Sequence, residues 1–193
     1  MTEERNNYLT GKLLLATPSM GDPRFNRAVI FMCAHDENGA MGLVVNHSMP
    51  DVDFSDLVGQ LKLTSDIKID LEKCNLPVMY GGPVESARGF LLHSNDFIRA
   101  ETMQISKSYS VTGTVDALKD IAIGSGPENL MFALGYAGWE AGQLDAEIHQ
   151  NAWMIVEPDY ELVFGEDPEA KWTNAIKKIG IDPGMLSVTS GRA

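Results

Sequence analysis

Two glycine-rich segments in the middle of the chain constrain its fold more than any other feature of the sequence. The first spans residues 80–84 and continues into 88–94, and the second spans 134–144. Glycine weakens an ordinary strand, so it is expected where φ is positive or where another group approaches the backbone closely. The two segments therefore predict either tight structural corners or a binding site, and neither of them specifies a reaction.

The length and composition of the chain indicate a single-domain globular protein. With 193 residues and 44% apolar content, one domain over residues 1–193 is expected, with residues 1–9 as a flexible tail. The polar N-terminus lacks the basic start and apolar run of a secretion signal, and no apolar stretch approaches the ~20 residues that span a bilayer. Cys33 and Cys74 are expected to be reduced thiols. We therefore expect a cytoplasmic protein without a membrane segment.

The net charge of −12, from 27 acidic and 15 basic residues, disfavours nucleic acid as a direct partner. Non-specific binding to nucleic acid depends on Lys and Arg side chains that replace counterions. The sequence has no run of three basic residues, and Lys177-Lys178 is the densest pair. A DNA-binding regulator is therefore the least favoured of three functional hypotheses, and it requires a local basic patch formed by Lys171, Lys177 and Lys178.

The hydrophobic pattern places strands mainly in the first half and intersperses helices among strands later. Strands are predicted over 12–17, 27–35, 40–46, 77–80, 89–93, 130–136 and 152–156, with one or two shorter strands within 95–112. Helices are predicted after Asp51 or Asp53, after Thr114, from Ala141 to His149 and after Asp167, and 64–76 is expected to be an exposed connection. This order indicates an α+β fold, or a mixed α/β fold with a strongly bent sheet.

Four local features follow from turn, capping and glycine residues. Residues 36–39 form an Asp-Glu-Asn-Gly turn signal, which predicts a hairpin between the second and third strands. The last helix is expected to begin at Pro168 and to bury a stripe that continues to Ile179. Gly-Gly-Pro at 81–83 is expected to form a corner between strands, and 135–139 a second glycine corner.

No known catalytic or metal-binding motif is present. The four histidines and two cysteines show no HxxxH or CxxC spacing, so no metal site is predicted. There is no GxGxxG, no phosphate loop and no GxSxG, so no cofactor is predicted either. Ser94 and His93 are neighbours in a predicted strand and point to opposite faces. Cys33 lies within an apolar strand, where a thiol is normally inert.

A polar helix face beside the second glycine segment is the remaining candidate for chemistry. Gln143 and Glu147 are four residues apart on a predicted helix and therefore face the same way. Such a face is either a solvated surface or a polar wall next to Tyr136 and Trp139. Tyrosine and tryptophan often line pockets because one end is apolar and the other forms hydrogen bonds. The alternative is that both aromatic side chains simply fill the core.

Taken in order, these motifs resemble the YqgE/AlgH family of bacterial proteins. The matching residues are Leu14 to Met20 with Asp22, Pro23 and Phe25, then His35 to Asn46, Gly81 to Val84, Arg88 to His93, Leu134 to Trp139 with Gly142 to Leu144, and Asn151 to Trp153. The resemblance extends from about Gly11 to Ser190. It implies a single compact domain with a bent, barrel-like sheet surrounded by helices, in a bacterial cytosolic protein. It implies no agreed catalytic residues, although some members carry names that suggest transcriptional regulation.

The first functional hypothesis is a non-enzymatic module that binds a small ligand or a protein partner, with an indirect role in regulation. Its candidate site combines glycine corners, aromatic walls and a fixed positive charge on Arg88 for a carboxylate or phosphate. The candidate residues are Asn46, Gly81, Gly82, Arg88, His93, Tyr136, Trp139 and Gln143. The alternative hypothesis is an enzyme of unrecognised type that acts on a small anionic substrate, with His93 or Glu147 as acid or base and Arg88 as the anchor.

The net charge of −12 predicts that the protein does not bind DNA directly. We expect no measurable binding in a titration of promoter fragments at ~50 mM salt, a condition that favours phosphate contacts. Binding that weakens steeply as the salt concentration rises would contradict this expectation.

Overall fold

One curled nine-stranded sheet runs through the computed structural model, which describes residues 8–60, 75–113 and 115–186. The strands are β1 (Leu13–Ala16), β2 (Val29–Asp36), β3 (Gly39–Val44), β4 (Val78–Tyr80), β5 (Val84–Ser94), β6 (Thr102–Gln104), β7 (Tyr109–Thr112), β8 (Leu130–Glu140) and β9 (Trp153–Val156). The helices are α1 (Phe54–Gln60), α2 (Val115–Ala122), α3 (Gln143–His149), α4 (Tyr160–Phe164) and α5 (Pro168–Lys178). The predicted α+β class, with a strongly bent, barrel-like sheet and surrounding helices, is confirmed.

The order of strands in the sheet is β6-β7-β5-β8-β3-β2-β1-β9, with β4 paired to β8 beside this path. All described pairings are antiparallel except β4 with β8. The predicted hairpin between β2 and β3 is confirmed, and its register shifts between Met32 and Ala34. The sheet is therefore mixed, as predicted, through a single parallel pair.

Helices cover both faces of the sheet, which explains why β2 is apolar on both sides. Phe31 faces the core that α4 and α5 complete with Val163, Trp172 and Ile176. Ile30 faces the core that α3 completes on the opposite side of the sheet. A third cluster lies under α1 and α2. A strand buried on both faces needs a continuous apolar run rather than an alternating pattern.

The start of α5 agrees with its sequence signals. The carboxylate of Asp167 accepts a hydrogen bond from the backbone N–H of Ala170, and Pro168 occupies the first turn. The predicted buried stripe is wrong at its end, because Ile179 follows the last helical residue and is 38% exposed. The short helix α4 was not expected from the sequence; Asp159 caps it.

Some predictions fall on residues outside the described ranges. The expected connection 64–76 is described only from residue 75, and the capping residue Thr114 is not described. Of the expected N-terminal tail, the last two residues contact the sheet. The backbone N–H of Leu9 donates to Nδ1 of His35 at 3.1 Å, and the ring of Tyr8 lies 5.2 Å from the His35 ring.

The segment that joins β4 to β5 crosses over β8. Residues 132–134 of β8 pair with β4 and also with β5, so these two strands lie on opposite sides of β8. Only residues 81–83 connect them, and they pass directly against the β8 backbone. A Cβ atom on Gly81 would lie 2.2 Å from the carbonyl oxygen of Gly135, and one on Gly82 would lie 2.1 Å from the carbonyl carbon of Tyr136. Glycine is required here because two backbones touch.

Gly135 is the matching position on β8. Its φ of +73° is in the left-handed region, and a Cβ would lie 2.4 Å from the carbonyl oxygen of Gly82. Opposite it, residues 85–88 bulge out of β5 between the Val84 and Gly89 pairs. The predicted glycine corner at 135–139 is therefore wrong, because β8 continues as a strand to Glu140. A single left-handed residue changes which side chains face each core without ending the strand.

The crossing predicts different effects for two glycines with nearly the same backbone conformation. Gly142 has a φ of +74° and no atom within 4 Å of a Cβ position. We expect Gly142→Ala to lower the free energy of unfolding by about 1–2 kcal/mol, through left-handed strain alone. Gly135→Ala adds a backbone clash to the same strain, and we expect a loss of about 3 kcal/mol or more. Urea unfolding measures both, and equal losses would contradict the crossing.

Candidate functional site

The last part of β8 has an open edge. Residues 137–140 pair with β3 on one side, as Ala137 with Gly42 through Glu140 with Gly39. On the other side, the final pair is Val84 with Tyr136, and no strand among the described residues pairs beyond it. The bulge in β5 and the crossing at 81–83 leave this short stretch of backbone without a neighbouring strand.

The polar groups of Gly138 point toward this open edge. In an antiparallel pair, successive residues direct their N–H and C=O groups alternately toward and away from the partner strand. The backbone N–H of Glu140 donates to the side-chain oxygen of Gln143 at 3.0 Å, so it faces away from β3. Gly138 lies two residues before Glu140 and therefore also faces away from β3. Its exposed N–H and C=O are available to an added strand.

Two grooves meet at the open edge. The tyrosine groove, on the side of Tyr136, has a volume of about 680 Å³, and the tryptophan groove, on the side of Trp153, has a volume of about 630 Å³. Both are lined by Val84, Gly138, Trp139 and Gln143. The edge of β8 thus separates two concave surfaces that open on opposite faces of the strand.

Arg88 and Tyr136 form part of the tyrosine groove. The Arg88 guanidinium lies 5.1 Å from the centre of the Phe90 ring and 3.2 Å from the carboxylate of Glu85. Tyr136 packs edge-on against Phe90 at 5.8 Å between ring centres. Glu85 has a φ of +46°, so the bulge is held in a conformation that side chains rarely adopt. The expectation that Arg88 anchors an anion stays a prediction, and Glu85 already partly satisfies its charge.

Glu147 organises the tryptophan groove. Its Oε2 atom accepts hydrogen bonds from the indole N–H of Trp139 at 3.0 Å and of Trp153 at 2.7 Å. Its Oε1 atom accepts from the side-chain amide of Gln143 at 2.9 Å. The two indole rings meet edge to face at 6.0 Å, and Phe25 contacts Trp153 at 5.8 Å. One carboxylate therefore fixes the two large aromatic side chains and the residue that caps Glu140.

The electrostatic character of the two grooves is acidic. Five carboxylates line them, and only two guanidinium groups do so. Arg24 is paired with Asp22 at 2.7 Å, in the same way that Arg88 is paired with Glu85. Among the described residues, the lining acids without an ion-pair partner are Asp36, Glu140 and Glu147. The grooves therefore favour a cationic or neutral partner over an anionic one.

The structure brings together four of the eight predicted site residues. Arg88, Tyr136, Trp139 and Gln143 line the two grooves, while Gly81 and Gly82 form the backbone crossing beside them. Asn46 lies elsewhere, where its side chain accepts from the backbone N–H of Val29 at 2.7 Å and donates to the carbonyl of Arg27 at 2.8 Å. His93 lies at the far end of β5. The predicted site is thus split between the edge and two structural positions.

His93 and Glu147 do not form a common acid–base site. His93 pairs with Leu130 at the start of β8, and Glu147 bonds to Trp139, which lies about 30 Å farther along the strand at ~3.3 Å per residue. His93 is fully buried; its Nδ1 donates to the Ser94 carbonyl at 2.8 Å and its Nε2 accepts from the Thr112 hydroxyl at 2.9 Å. Burial lowers its pKa and favours the neutral form.

The other proposed chemistries also lack geometric support within the described ranges. Burial raises the pKa of the Cys33 thiol to about 12, which keeps it protonated and unreactive. The proposed basic patch does not form, because Lys171 is buried and Lys178 is paired with Asp159 at 2.6 Å. Residues 8–60, 75–113 and 115–186 contain no group of three His, Cys, Asp or Glu side chains arranged for a metal ion. Among the helices described, none has the length and apolar character needed to cross a membrane.

Several residues of the site were not predicted from the sequence. Val84 and Gly138 matter through their position at the edge, and Trp153 matters through its hydrogen bond to Glu147. In the sequence, apolar Ala137 and Trp139 alternate with Gly138 and Glu140, and this alternation is the signal that would have identified a strand here. No sequence signal marks the side of β8 that stays open.

Comparison with known proteins identifies relatives over almost the whole chain. A family described as AlgH-like matches residues 13–184. A UPF0301 protein of Bradyrhizobium diazoefficiens is 48% identical over 190 residues, and the match covers 96% of this chain and 89% of the relative. A UPF0301 protein of Rhodospirillum rubrum is 44% identical over 193 residues, and the match covers 100% of this chain and 98% of the relative. The solution structure of the AlgH protein from Pseudomonas aeruginosa matches with a TM-score of 0.78 and 34% identity, covering 100% of both chains. A Corynebacterium diphtheriae protein with 19% identity, a TM-score of 0.69 and coverage of 95% and 92% shares the fold.

The Glu147 network predicts a measurable contribution to stability. Glu147→Ala leaves two largely buried indole N–H groups without their acceptor, so we expect the free energy of unfolding to fall by about 2–4 kcal/mol. Glu147→Gln keeps one carbonyl oxygen and is expected to lose less than half of that. Glu140→Ala, an exposed acid nearby, serves as the control, with an expected change within about 0.5 kcal/mol. Urea unfolding in which Glu147→Ala matches Glu140→Ala would show that the network is not stabilising.

Proposed function

This chain belongs to the AlgH-like family, and we propose that it acts as a non-enzymatic binding module that takes an extended segment of a partner protein at the open edge of β8. The observation that carries the proposal is the position of Gly138 at this edge, between the tyrosine and tryptophan grooves. The segment pairs with Gly138 and extends the sheet locally.

Strand addition fits the geometry of the two grooves. An added strand directs its successive side chains to opposite faces of the sheet, and main-chain hydrogen bonds supply affinity while side-chain pockets supply specificity. At this edge, alternate side chains would enter the tyrosine groove and the tryptophan groove in turn. Gln143 limits the length of the contact, because its side chain already occupies the N–H of Glu140. The predicted contact is therefore short.

The chemistry of the grooves specifies the segment. The three carboxylates of Asp36, Glu140 and Glu147 favour basic side chains, and the aromatic walls around Tyr136 and Trp139 favour apolar or aromatic ones. We therefore propose a partner segment in which basic and aromatic residues alternate. We propose that the protein acts in the cytoplasm. A role in transcription would be indirect, through this partner, because the acidic net charge disfavours contact with DNA.

A synthetic peptide tests the proposal. The probe is an acetylated and amidated heptapeptide of alternating arginine and phenylalanine, and its control has glutamate in place of each arginine. Binding is followed by the fluorescence of the tryptophan side chains at ~50 mM salt. We expect the basic peptide to bind at least about tenfold more tightly than the acidic one. Equal affinities, or no binding at ~1 mM peptide, would contradict the proposal.

Two substitutions at one position isolate the contribution of the edge. Gly138→Pro removes the outward N–H, and it leaves the pairing with β3 intact because that N–H does not face β3. Gly138→Ala adds a Cβ but keeps the N–H. We expect both variants to stay folded by circular dichroism, with peptide affinity reduced at least about tenfold only in Gly138→Pro. If the two variants bind equally well, the segment is not held by this edge.

A further inference from the structure

Lys171 is a buried lysine that the edge of β8 does not involve. It lies on α5 and is 3% exposed. Its Nζ atom donates to the backbone carbonyl of Val163 at 2.7 Å and to that of Val45 at 3.1 Å. The lysine thus joins α5 to α4 and to the end of β3. The side chain places an amino group in a region that is otherwise mainly apolar.

The ammonium group of Lys171 is not fully matched by its surroundings. An ammonium has three N–H donors, and the two carbonyl groups accept two of them. Within the described parts of the chain, no carboxylate lies within ion-pair distance of Nζ. A buried charge is normally paired, because removing it from water is costly without a counter-charge. One donor and the counter-charge are therefore left for another group.

A cavity of about 510 Å³ lies next to Lys171, which forms part of its wall. This volume is within the range of small-molecule sites in proteins. Apolar side chains form part of the remaining wall, among them Met79, Met131 and Phe164. The charged groups on the other lining segments are Glu128, before β8, and Glu166, after α4, and both residues are exposed to solvent. The cavity thus has an acidic, exposed part and a buried cationic part.

We propose that this cavity binds a small monocarboxylate, whose carboxylate pairs with the Lys171 ammonium and whose apolar body packs against the cavity wall. The carboxylate supplies the third acceptor and the missing counter-charge. Glu128 and Glu166 repel a second negative charge, so the site selects monocarboxylates over dicarboxylates. This site is independent of the β8 edge, since it uses β4, the start of β8 and α5.

The pH dependence of binding follows from the amino group. Burial lowers the pKa of Lys171 to about 8, and the charge of Glu161 on α4 opposes this effect. Glu128 and Glu166 are the other charged groups on the cavity wall, and both are exposed to water, which screens their charge. A bound carboxylate stabilises the ammonium, so binding takes up protons near pH 8. We expect affinity to fall at least about tenfold between pH 6.5 and pH 9.5, as the free lysine loses its proton.

Methionine methyl groups report on the cavity directly. Met79 and Met131 line it, whereas Met103 is exposed on β6 and Met32 is buried on the face covered by α3. With ¹³C-methyl-labelled methionine, hexanoate is expected to shift the signals of Met79 and Met131 and to leave those of Met103 and Met32 unchanged. Hexanamide, which has the same body without the charge, is expected to bind at least about tenfold more weakly, and adipate more weakly than hexanoate. Hexanoate and hexanamide titrations that coincide, or an absence of shifts at ~50 mM hexanoate, would overturn the proposal.

Two lysine variants complete the test. Lys171→Met keeps the volume of the side chain and removes its charge, so hexanoate binding should approach that of hexanamide. Lys177→Met changes an exposed lysine on the same helix and should leave hexanoate binding unchanged. If Lys171→Met does not fold, the hexanoate, hexanamide and pH comparisons in the unmodified protein still decide. An affinity for hexanoate that is the same at pH 6.5 and pH 9.5 would mean that Lys171 serves only to join α5 to the sheet.

Discussion

The contact between two backbones where residues 81–83 cross β8 is the constraint on which the rest of the structure depends. Three residues carry the chain from one side of β8 to the other, so β4 and β5 can both pair with the same strand. Side chains cannot fit at this contact, which explains the glycines at 81, 82 and 135. The left-handed conformation of Gly135 then allows β8 to continue as one strand past the crossing. The glycine-rich segments are therefore structural first, and the open edge of β8 is a consequence of the crossing that they allow.

An open strand edge is a liability unless it is short or protected. Unpaired backbone N–H and C=O groups invite pairing with other chains, and natural sheets limit this with charged residues and short edges. Here Gln143 covers the N–H of Glu140, and acidic side chains line the groove beside Gly138. These features keep the open stretch short and disfavour pairing with a second acidic chain of the same kind. Glu147 supports this protection, because it holds Gln143 in place, and it also fixes the two indole rings of the tryptophan groove.

The fold could be predicted from the sequence to a considerable extent, because most elements carry local signals. The β2–β3 hairpin follows from its Asp-Glu-Asn-Gly turn, and α5 follows from Asp167 and Pro168. The crossing could not be predicted, because glycine indicates close approach without naming the group that approaches. The error at 135–139 has the same origin, since a glycine-rich strand with one left-handed residue resembles a corner in the sequence.

The sequence predicted some residues of the candidate site and misplaced others, and the physical reasons differ from residue to residue. Arg88, Tyr136, Trp139 and Gln143 meet because β5, β8 and α3 converge at the edge. Asn46 and His93 form their hydrogen bonds with backbone or buried hydroxyl groups, and polarity in the sequence does not distinguish that role from a binding role. Lys171 shows the same limit, since a lysine expected on a basic surface is buried beside a cavity.

The exchange of backbone amide hydrogens in the free protein tests the central claim most directly. If the edge of β8 is open, the amide of Gly138 should exchange at least about a hundredfold faster than that of Trp139, whose N–H faces β3. Both amides lie in one strand, so a difference between them reports the side of the strand rather than its stability. Comparable protection of the two amides would mean that the edge is already covered in the free protein, and it would contradict a binding site for an added strand at Gly138.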